Sequence, residues 1–425
     1  MTFVLLALLA CPKPAEPDSL PDSPGPTITE SVATERAQLQ LVESWPSETT
    51  LDQPDIADAS DIWLEMINGA QTSLDIGEFY VSPNPDADDA MDDVLTAIEA
   101  AAGRGVAVRL IADAKFQKTY PDDLERLGKL DNIEVRIFDM KPLTGGVMHA
   151  KYFIVDGSTG YLGSQNMDWR SLEHIQELGV RFTGPAAVAG MLGTFERDWK
   201  RAIGDDTPTI TVQPMAGMVD SFSEPMWWRG HEVSVQYVAS PKDLTLEGLW
   251  DLPHLLKMIE GAQTSIRIQL LSYAVVGYDK VEWRELDDAL RAAGARGVAV
   301  QLLVSNWQKS KYKQGVVKEL TSADGVEVKF INVPEHSSGW IDFGRTIHSK
   351  FMVVDGQVSW VGTSNWSKDY FHGSRNVGLI VSGPEFAQRL DTMHSDLWAS
   401  DYAEAVNPET TYMAPYEVRK AAAKE

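Results

Sequence analysis

The chain has 425 residues, enough for two ordinary domains that each bury a core, and its 44% hydrophobic and 9% aromatic content suits a globular protein. A formal net charge of −25 argues against broad, sequence-blind adhesion to nucleic acid or anionic membrane, while leaving room for a locally basic cleft. The single cysteine, Cys11, excludes an intramolecular disulfide and any cysteine-built metal cluster.

Residues 1–11, MTFVLLALLAC, form an apolar run too short to span a bilayer but of the length of a signal-peptide core. Its end, Leu8-Leu9-Ala10-Cys11, matches a lipoprotein lipobox, so export and a membrane-anchoring lipid on Cys11 are expected. Residues 12–54 are rich in Pro, Ser, Thr, Glu and Asp, with Lys13 and Arg36 as their basic residues. Such a stretch buries little and is expected to be a flexible, self-repelling tether. Within it, AQLQLVE (37–43) has the pattern of an early strand or a helical turn.

From residue 55 the chain is written twice, as halves spanning 55–212 and 233–408 around an irregular linker, 213–232, and followed by a tail, 409–425. IWLEMINGAQTSLDIGEFY begins at Ile62 and HLLKMIEGAQTSIRIQLLSY at His254; RGVAVRLIAD begins at Arg104 and RGVAVQLLVS at Arg296. Both pairs are 192 residues apart. In the first half the spacing of apolar residues predicts a helix over 63–70, a strand over 73–79, a helix over 91–104 and a strand over 106–112. Short strands follow over 134–139, 151–155 and 160–163. Helices alternating with strands predict an α/β fold built on a largely parallel sheet, and two such halves make a pseudo-twofold molecule.

One sentence occurs in both halves, MHAKYFIVDGSTGYLGSQNMDW from Met148 and IHSKFMVVDGQVSWVGTSNWSK from Ile347. It repeats His149, Lys151, Asp156, Gly163, Ser164 and Asn166 as His348, Lys350, Asp355, Gly362, Thr363 and Asn365. The two histidines are 199 residues apart, so the second half has gained residues between 333 and 348, an insertion that predicts a loop at the mouth of the site. Alternate residues of a strand face one way, so each His projects with its Lys. Together the halves offer two imidazoles, two ammonium groups, hydroxyls and amides, an inventory suited to an anionic tetrahedral centre. Lys151 and Lys350, with Ser164, Asn166, Thr363, Asn365 and Asn376, can hold phosphodiester oxygens as preorganised positive charge, with no metal or other cofactor. One histidine attacks phosphorus to form a phosphohistidine; the other protonates the leaving oxygen and then deprotonates water. Glu177 and Asn376 each lie 28 residues after their half's histidine. Since a carboxylate stabilises the charged imidazole, His149 is expected to be the nucleophile and His348 the general acid. Asp156 and Asp355 are candidates either for the chemistry or for structural ion pairs.

These residues resemble the signature of the phospholipase D superfamily, H-x-K-x(4)-D-x(6)-G-[ST]-x-N, present twice. GSQNMDWRSLEHIQELGV (163–180) and GTSNWSKDYF (362–371) are similar to the lysosomal phospholipase-D-like 5′ exonucleases of animals and their poxviral relatives, over roughly residues 52–408. The resemblance implies two phospholipase-D-type halves around one shared active site, and hydrolysis of single-stranded DNA or RNA from the 5′ end. Phospholipid is the alternative substrate, by phospholipase D or transphosphatidylase action; a non-catalytic phosphate-binding scaffold would not need two histidines. The lipobox-like start and the lack of further cysteines imply a bacterial relative, anchored in the periplasm or at the cell surface. Further candidates for substrate contact are Trp307 and Tyr312 in the basic run NWQKSKYKQG (306–315), as stacking platforms, and Trp227, Trp228, Trp340, Trp366 and Phe371, as a hydrophobic rim.

Overall fold

Two sheets of matching topology form the frame of a computed structural model that describes residues 36–87, 89–205, 223–246 and 248–423. The proposed signal, Cys11 and residues 12–35 of the tether lie outside them. Each sheet has a parallel half and an antiparallel half. In the first, Ser73–Glu78, Ala107–Asp113 and Ile133–Phe138 run parallel. Tyr152–Val155, Thr159–Gly163, Ile175–Phe182 and Leu39–Ser44 continue the sheet antiparallel. The second sheet repeats this with Ser265–Leu270, Ala299–Ser305 and Val326–Ile331 parallel. Phe351–Val354, Val358–Gly362, Asn376–Ser382 and His231–Ser240 are its antiparallel part.

The sheets are therefore mixed, where a largely parallel sheet was expected. The cause is local: Asp156-Gly157 and Asp355-Gly356 all have positive φ, between 51° and 61°. They are the central residues of tight turns, closed by Ser158 N donating to the Val155 carbonyl and Gln357 N to the Val354 carbonyl, in three-residue loops that turn each motif strand back on itself.

The helices Ala59–Gly69 and Ala90–Gly103 cover one face of the first sheet, burying Trp63, Met66, Val94 and Ile98. Asp89 starts the second helix with a capping box, its carboxylate accepting from Met91 N and Asp92 reaching back to Asp89 N. Asp251–Gly261 and Glu285–Ala295 do the same for the second sheet. The remaining face of each sheet closes on a shared core, where Leu178, Phe195 and Trp199 belong to one cluster with Tyr237, Val377 and Phe386. Each such side chain contributes about 1.5–3 kcal/mol relative to exposure, so parting the halves would cost more than the about 5–15 kcal/mol that holds a typical protein folded.

Three expected boundaries move. Leu39–Ser44 falls inside the expected tether, yet it pairs over six residues with Ile175–Phe182 and buries Leu39, Leu41 and Val42. Ser223–Trp228 and the start of His231–Ser240 fall inside the expected linker and form the edge hairpin of the second sheet. The expected tail carries a helix, Pro415–Ala422.

Candidate active site

The two motif segments enter the seam between the halves, and each is gripped by the other half. His149 N donates to the carbonyl of Arg375, and His348 N donates to the carbonyl of Gln176. The short strand Thr346–Ile347 pairs in parallel with Ile175 and Gln176 of the first sheet. Asp113, at the end of its strand, accepts from Met148 N at 2.8 Å and from Lys115 N and Phe116 N, fixing the chain just before His149. Ser305 occupies the matching place in the second half, bonded to the hydroxyl of Thr346 and to Trp307 N. Gly163 and Gly362 permit the close packing: a Cβ on Gly163 would come within 2.9 Å of Gly179 Cα, and one on Gly362 within 2.9 Å of the Val377 carbonyl.

These grips exchange the histidines' partners. Glu177 follows Gln176, so its carboxylate meets His348, with Nδ1 at 2.7 Å from Oε2 and 2.9 Å from Oε1. Asn376 follows Arg375, and its Oδ1 lies 3.0 Å from His149 Nδ1. The expected pairing of Glu177 with His149 is thus corrected. The 28-residue spacing is real, but each partner serves the histidine of the opposite half, because each parallel grip crosses the seam.

Lys151 and Lys350 are buried and each donates to the carbonyl of its own motif histidine. Burial pushes the Lys151 ammonium down to about 7, against the pull of Glu78 and Glu177, and holds Lys350 well below its ordinary range. Burial, reinforced by both lysines, depresses both imidazoles as well. Burial also pushes the Glu177 carboxyl up to about 8, although Lys350 and Lys151 oppose it. The centre therefore holds its positive charges against a desolvation cost that a bound anion would relieve.

Asp156 and Asp355, expected as possible catalytic residues, serve the fold. Each is the first residue of its hairpin turn, five residues beyond the lysine and so roughly 16 Å further along the strand. Asp156 accepts from the backbone of Gln71, Thr72 and Ser73 and the Thr72 hydroxyl; Asp355 accepts from Gln263, Thr264 and Ser265 and the Thr264 hydroxyl. Ser164 and Thr363, expected to bind phosphate, are occupied otherwise. Thr363 Oγ1 donates to Asn376 Oδ1 at 2.9 Å, while Ser164 Oγ bonds the backbone of Leu178 and helps hold Glu177 in its charged form. Asn376 itself orients His149. Asn365 is bonded to Ser272 N and the Tyr370 hydroxyl, whereas the buried side-chain oxygen of Asn166 has no protein partner.

Several neighbours escaped the sequence reading. Glu78 is buried, its carboxyl raised by burial and opposed by Lys151; its repeat counterpart is Leu270, so the first half carries a further carboxylate. Phe79 packs 4.9 Å from the His149 ring and lies under the Lys151 ammonium at 4.7 Å. From Phe79 a row of half-buried rings leads through Phe116 (4.1 Å) and Tyr80 (5.4 Å, stacked) to Tyr120 (5.0 Å, stacked). Tyr370 meets His149 edge-on at 5.0 Å. The aromatic order after Ser73 was a usable signal, since Phe79-Tyr80 directly follows the strand beside the motif strand. Of the expected rim, Trp228, Trp366 and Phe371 are core, and Trp227 lies beneath the Arg36 guanidinium. Trp340 and Trp307 line a cavity beside the insertion, while Tyr312 is 84% exposed and outside it.

A family model described as cardiolipin synthase, PLD-like domain, matches residues 63–199 and 255–398. Phospholipase D Z of Dictyostelium discoideum is 30% identical over 394 residues, covering 88% of this chain and 91% of its own. The 5′-3′ exonuclease PLD4 of Mus musculus is 31% identical over 400 residues, covering 86% of this chain and 79% of its own. In fold, the crystal structure of phosphatidylserine synthase from Haemophilus influenzae Rd KW20 matches with a TM-score of 0.57 at 12% identity, over 86% of this chain and 90% of that one.

Proposed function

The chain belongs to the phospholipase D superfamily and is a phosphodiesterase of that group, and from this premise we propose that it hydrolyses single-stranded nucleic acid through a phosphohistidine, without a metal ion. The observation that carries the mechanism is the bond His348 Nδ1 donates to the Glu177 carboxylate, which leaves Nε2 to react. His348 is then the nucleophile and His149, held by a neutral amide, the general acid. The lone pair of His348 Nε2 forms a bond to phosphorus, the bond to the leaving oxygen breaks, and His149 gives that oxygen its proton. Glu177 stabilises the positive charge that develops on His348. His149 next takes a proton from water, the oxygen bonds to phosphorus, and the phosphorus–nitrogen bond breaks to return His348. Lys151 and Lys350 balance charge on the non-bridging oxygens throughout.

The row of half-buried rings starting at Phe79 beside His149 supports a nucleic-acid strand, because every base has a face that can stack on an aromatic ring. Curated relatives carry both nuclease and phospholipase names, so phospholipid is the second reading. Purified protein given labelled oligonucleotides, with 5′-hydroxyl or 5′-phosphate ends, beside phosphatidylcholine vesicles decides between them; turnover of lipid alone would overturn the nucleic-acid reading. EDTA leaves turnover unchanged on this reading, and activity lost to chelation and restored by Mg²⁺ would refute the metal-free mechanism. We also propose export with a lipid on Cys11: a Cys11→Ser protein leaves the membrane fraction, and its persistence there would contradict the anchor.

A further inference from the structure

On the second half's side of the site, a cavity of about 480 Å³ opens between the insertion, the segment from Asn306 and the C-terminal helix. Its volume is that of a small-ligand cleft. Trp307, Trp340, Phe343 and Tyr416 line it, and Trp307 and Phe343 meet edge-to-face at 6.3 Å. Phe343 is 65% exposed, an unusual place for a phenyl ring that supports no core. Arg345 also lines the cavity and is 7% exposed; its Nε and Nη1 donate to the carbonyls of Pro334 and Ser47, but Nη2 is buried without a partner. Phe343 and Arg345 both have positive φ, 64° and 53°, a conformation that costs energy in residues with a side chain and gathers at ligand clamps.

The cavity lies on the second half's approach to its histidine, as the aromatic row lies on the first half's, but it is built from other residues: the repeat counterparts of Phe79, Tyr80, Phe116 and Tyr120 are Leu271, Ser272, Gln308 and Tyr312, and none of them lines it. Asp113 fixes Phe116 and the approach to His149; Ser305 fixes Trp307 and the approach to His348. From Arg345, three residues of nearly extended chain lead to His348, a distance of roughly 10 Å.

We propose that this cavity binds an unpaired nucleobase, on the side of the scissile phosphate opposite the aromatic row; the proposal rests on the nucleic-acid reading and specifies how the strand is held. The aromatic walls take the base's faces, and Arg345 Nη2 donates to a base carbonyl oxygen or ring nitrogen. An acyl chain fits less well, since hydrocarbon would leave that guanidinium nitrogen unbonded in a drier place. Glu335 and Asp342 in the lining can accept from a base's amino group.

The full chain and its Phe343→Ala and Trp307→Ala variants test this on an oligonucleotide, on a series with one abasic residue moved along it, and on bis(p-nitrophenyl) phosphate as a diester with no base. In the parent, one abasic position raises KM roughly 5- to 150-fold, the range expected for one stacked base. In Phe343→Ala the intact oligonucleotide shows a comparable rise, the same abasic change adds little, and kcat/KM falls relative to the small diester. Variants that keep the full abasic penalty would overturn the proposal, as would Phe343→Ala impairing phosphatidylcholine turnover instead. If the parent cleaves the small diester but no oligonucleotide, the nucleic-acid reading itself fails, a result distinct from failure of the cavity alone. Unchanged melting of both variants shows that the fold is not what moved.

Discussion

Glu177→Gln isolates the charge of the residue that distinguishes the two histidines. Glutamine keeps an oxygen that can accept from His348 Nδ1, so the ring keeps its orientation while losing an anionic partner. The native bond is short, 2.7 Å, and is charge-assisted when Glu177, whose carboxyl burial raises to about 8, is ionised, so the comparison is made above that pH. Such a bond contributes about 1.5–3 kcal/mol, against about 0.5–1.5 for a neutral one, so the substitution removes about 1–2 kcal/mol. The loss falls on the step in which His348 becomes positive, and it deepens because Lys350 loses the carboxylate that favours its charged form. At about 1.4 kcal/mol per tenfold, formation of the phosphohistidine should slow by about 5- to 30-fold. Stopped-flow release of p-nitrophenolate from bis(p-nitrophenyl) phosphate measures that step, and mass spectrometry after a short pulse locates the adduct. His348→Ala forms none, whereas His149→Ala accumulates it on His348, since a good leaving group needs little help from the acid. A Glu177→Gln protein with the parent burst rate, or an adduct on His149, would refute the assignment.

The kcat/KM of the parent should fall as pH rises through about 7, where Lys151 loses its charge, and Lys151→Arg should move the fall upward; a flat pH–rate profile would contradict the charge clamp. Asp198→Asn should cost about 3–5 kcal/mol in urea unfolding, because it strips the counter-charge from Arg375 in an ion pair with no exposure on either side. A midpoint within error of the parent would show that the pair does not hold the seam. Asp156→Ala and Asp355→Ala should each lower stability by about 2 kcal/mol, as the backbone amides they cap lose an acceptor, with kcat near that of the parent. Collapse of kcat in a protein of undiminished stability would return these residues to the chemistry.

The histidines and lysines were legible because strand alternation and an exact repeat are local patterns, and the helices and strands of the first half lie within a few residues of their expected bounds. The partner of each histidine was not legible. A spacing of 28 residues says nothing about which side of a seam a side chain reaches, and here two cross-seam hydrogen bonds decide it. The Asp-Gly turns were readable by the ordinary rules for hairpins; the spacing of the surrounding motif drew them toward catalysis instead. Glu78 and Phe79 reach the centre only through tertiary packing, from the end of a strand that is adjacent to the motif strand in the sheet and distant from it in the chain.

The exchange of partners across the seam bears on how such a protein can change over time. Two identical subunits around a true twofold axis must present the same residue at both corresponding places, so any carboxylate set against one histidine is set against the other. With both halves on one chain, a single codon alters one corner of the centre and leaves its mirror untouched. Glu177 opposite Asn376, and Glu78 opposite Leu270, are such divergences. The same arrangement ties the halves together: neither segment, expressed alone, would carry both a histidine and the group that orients it, unless it found a second copy of itself.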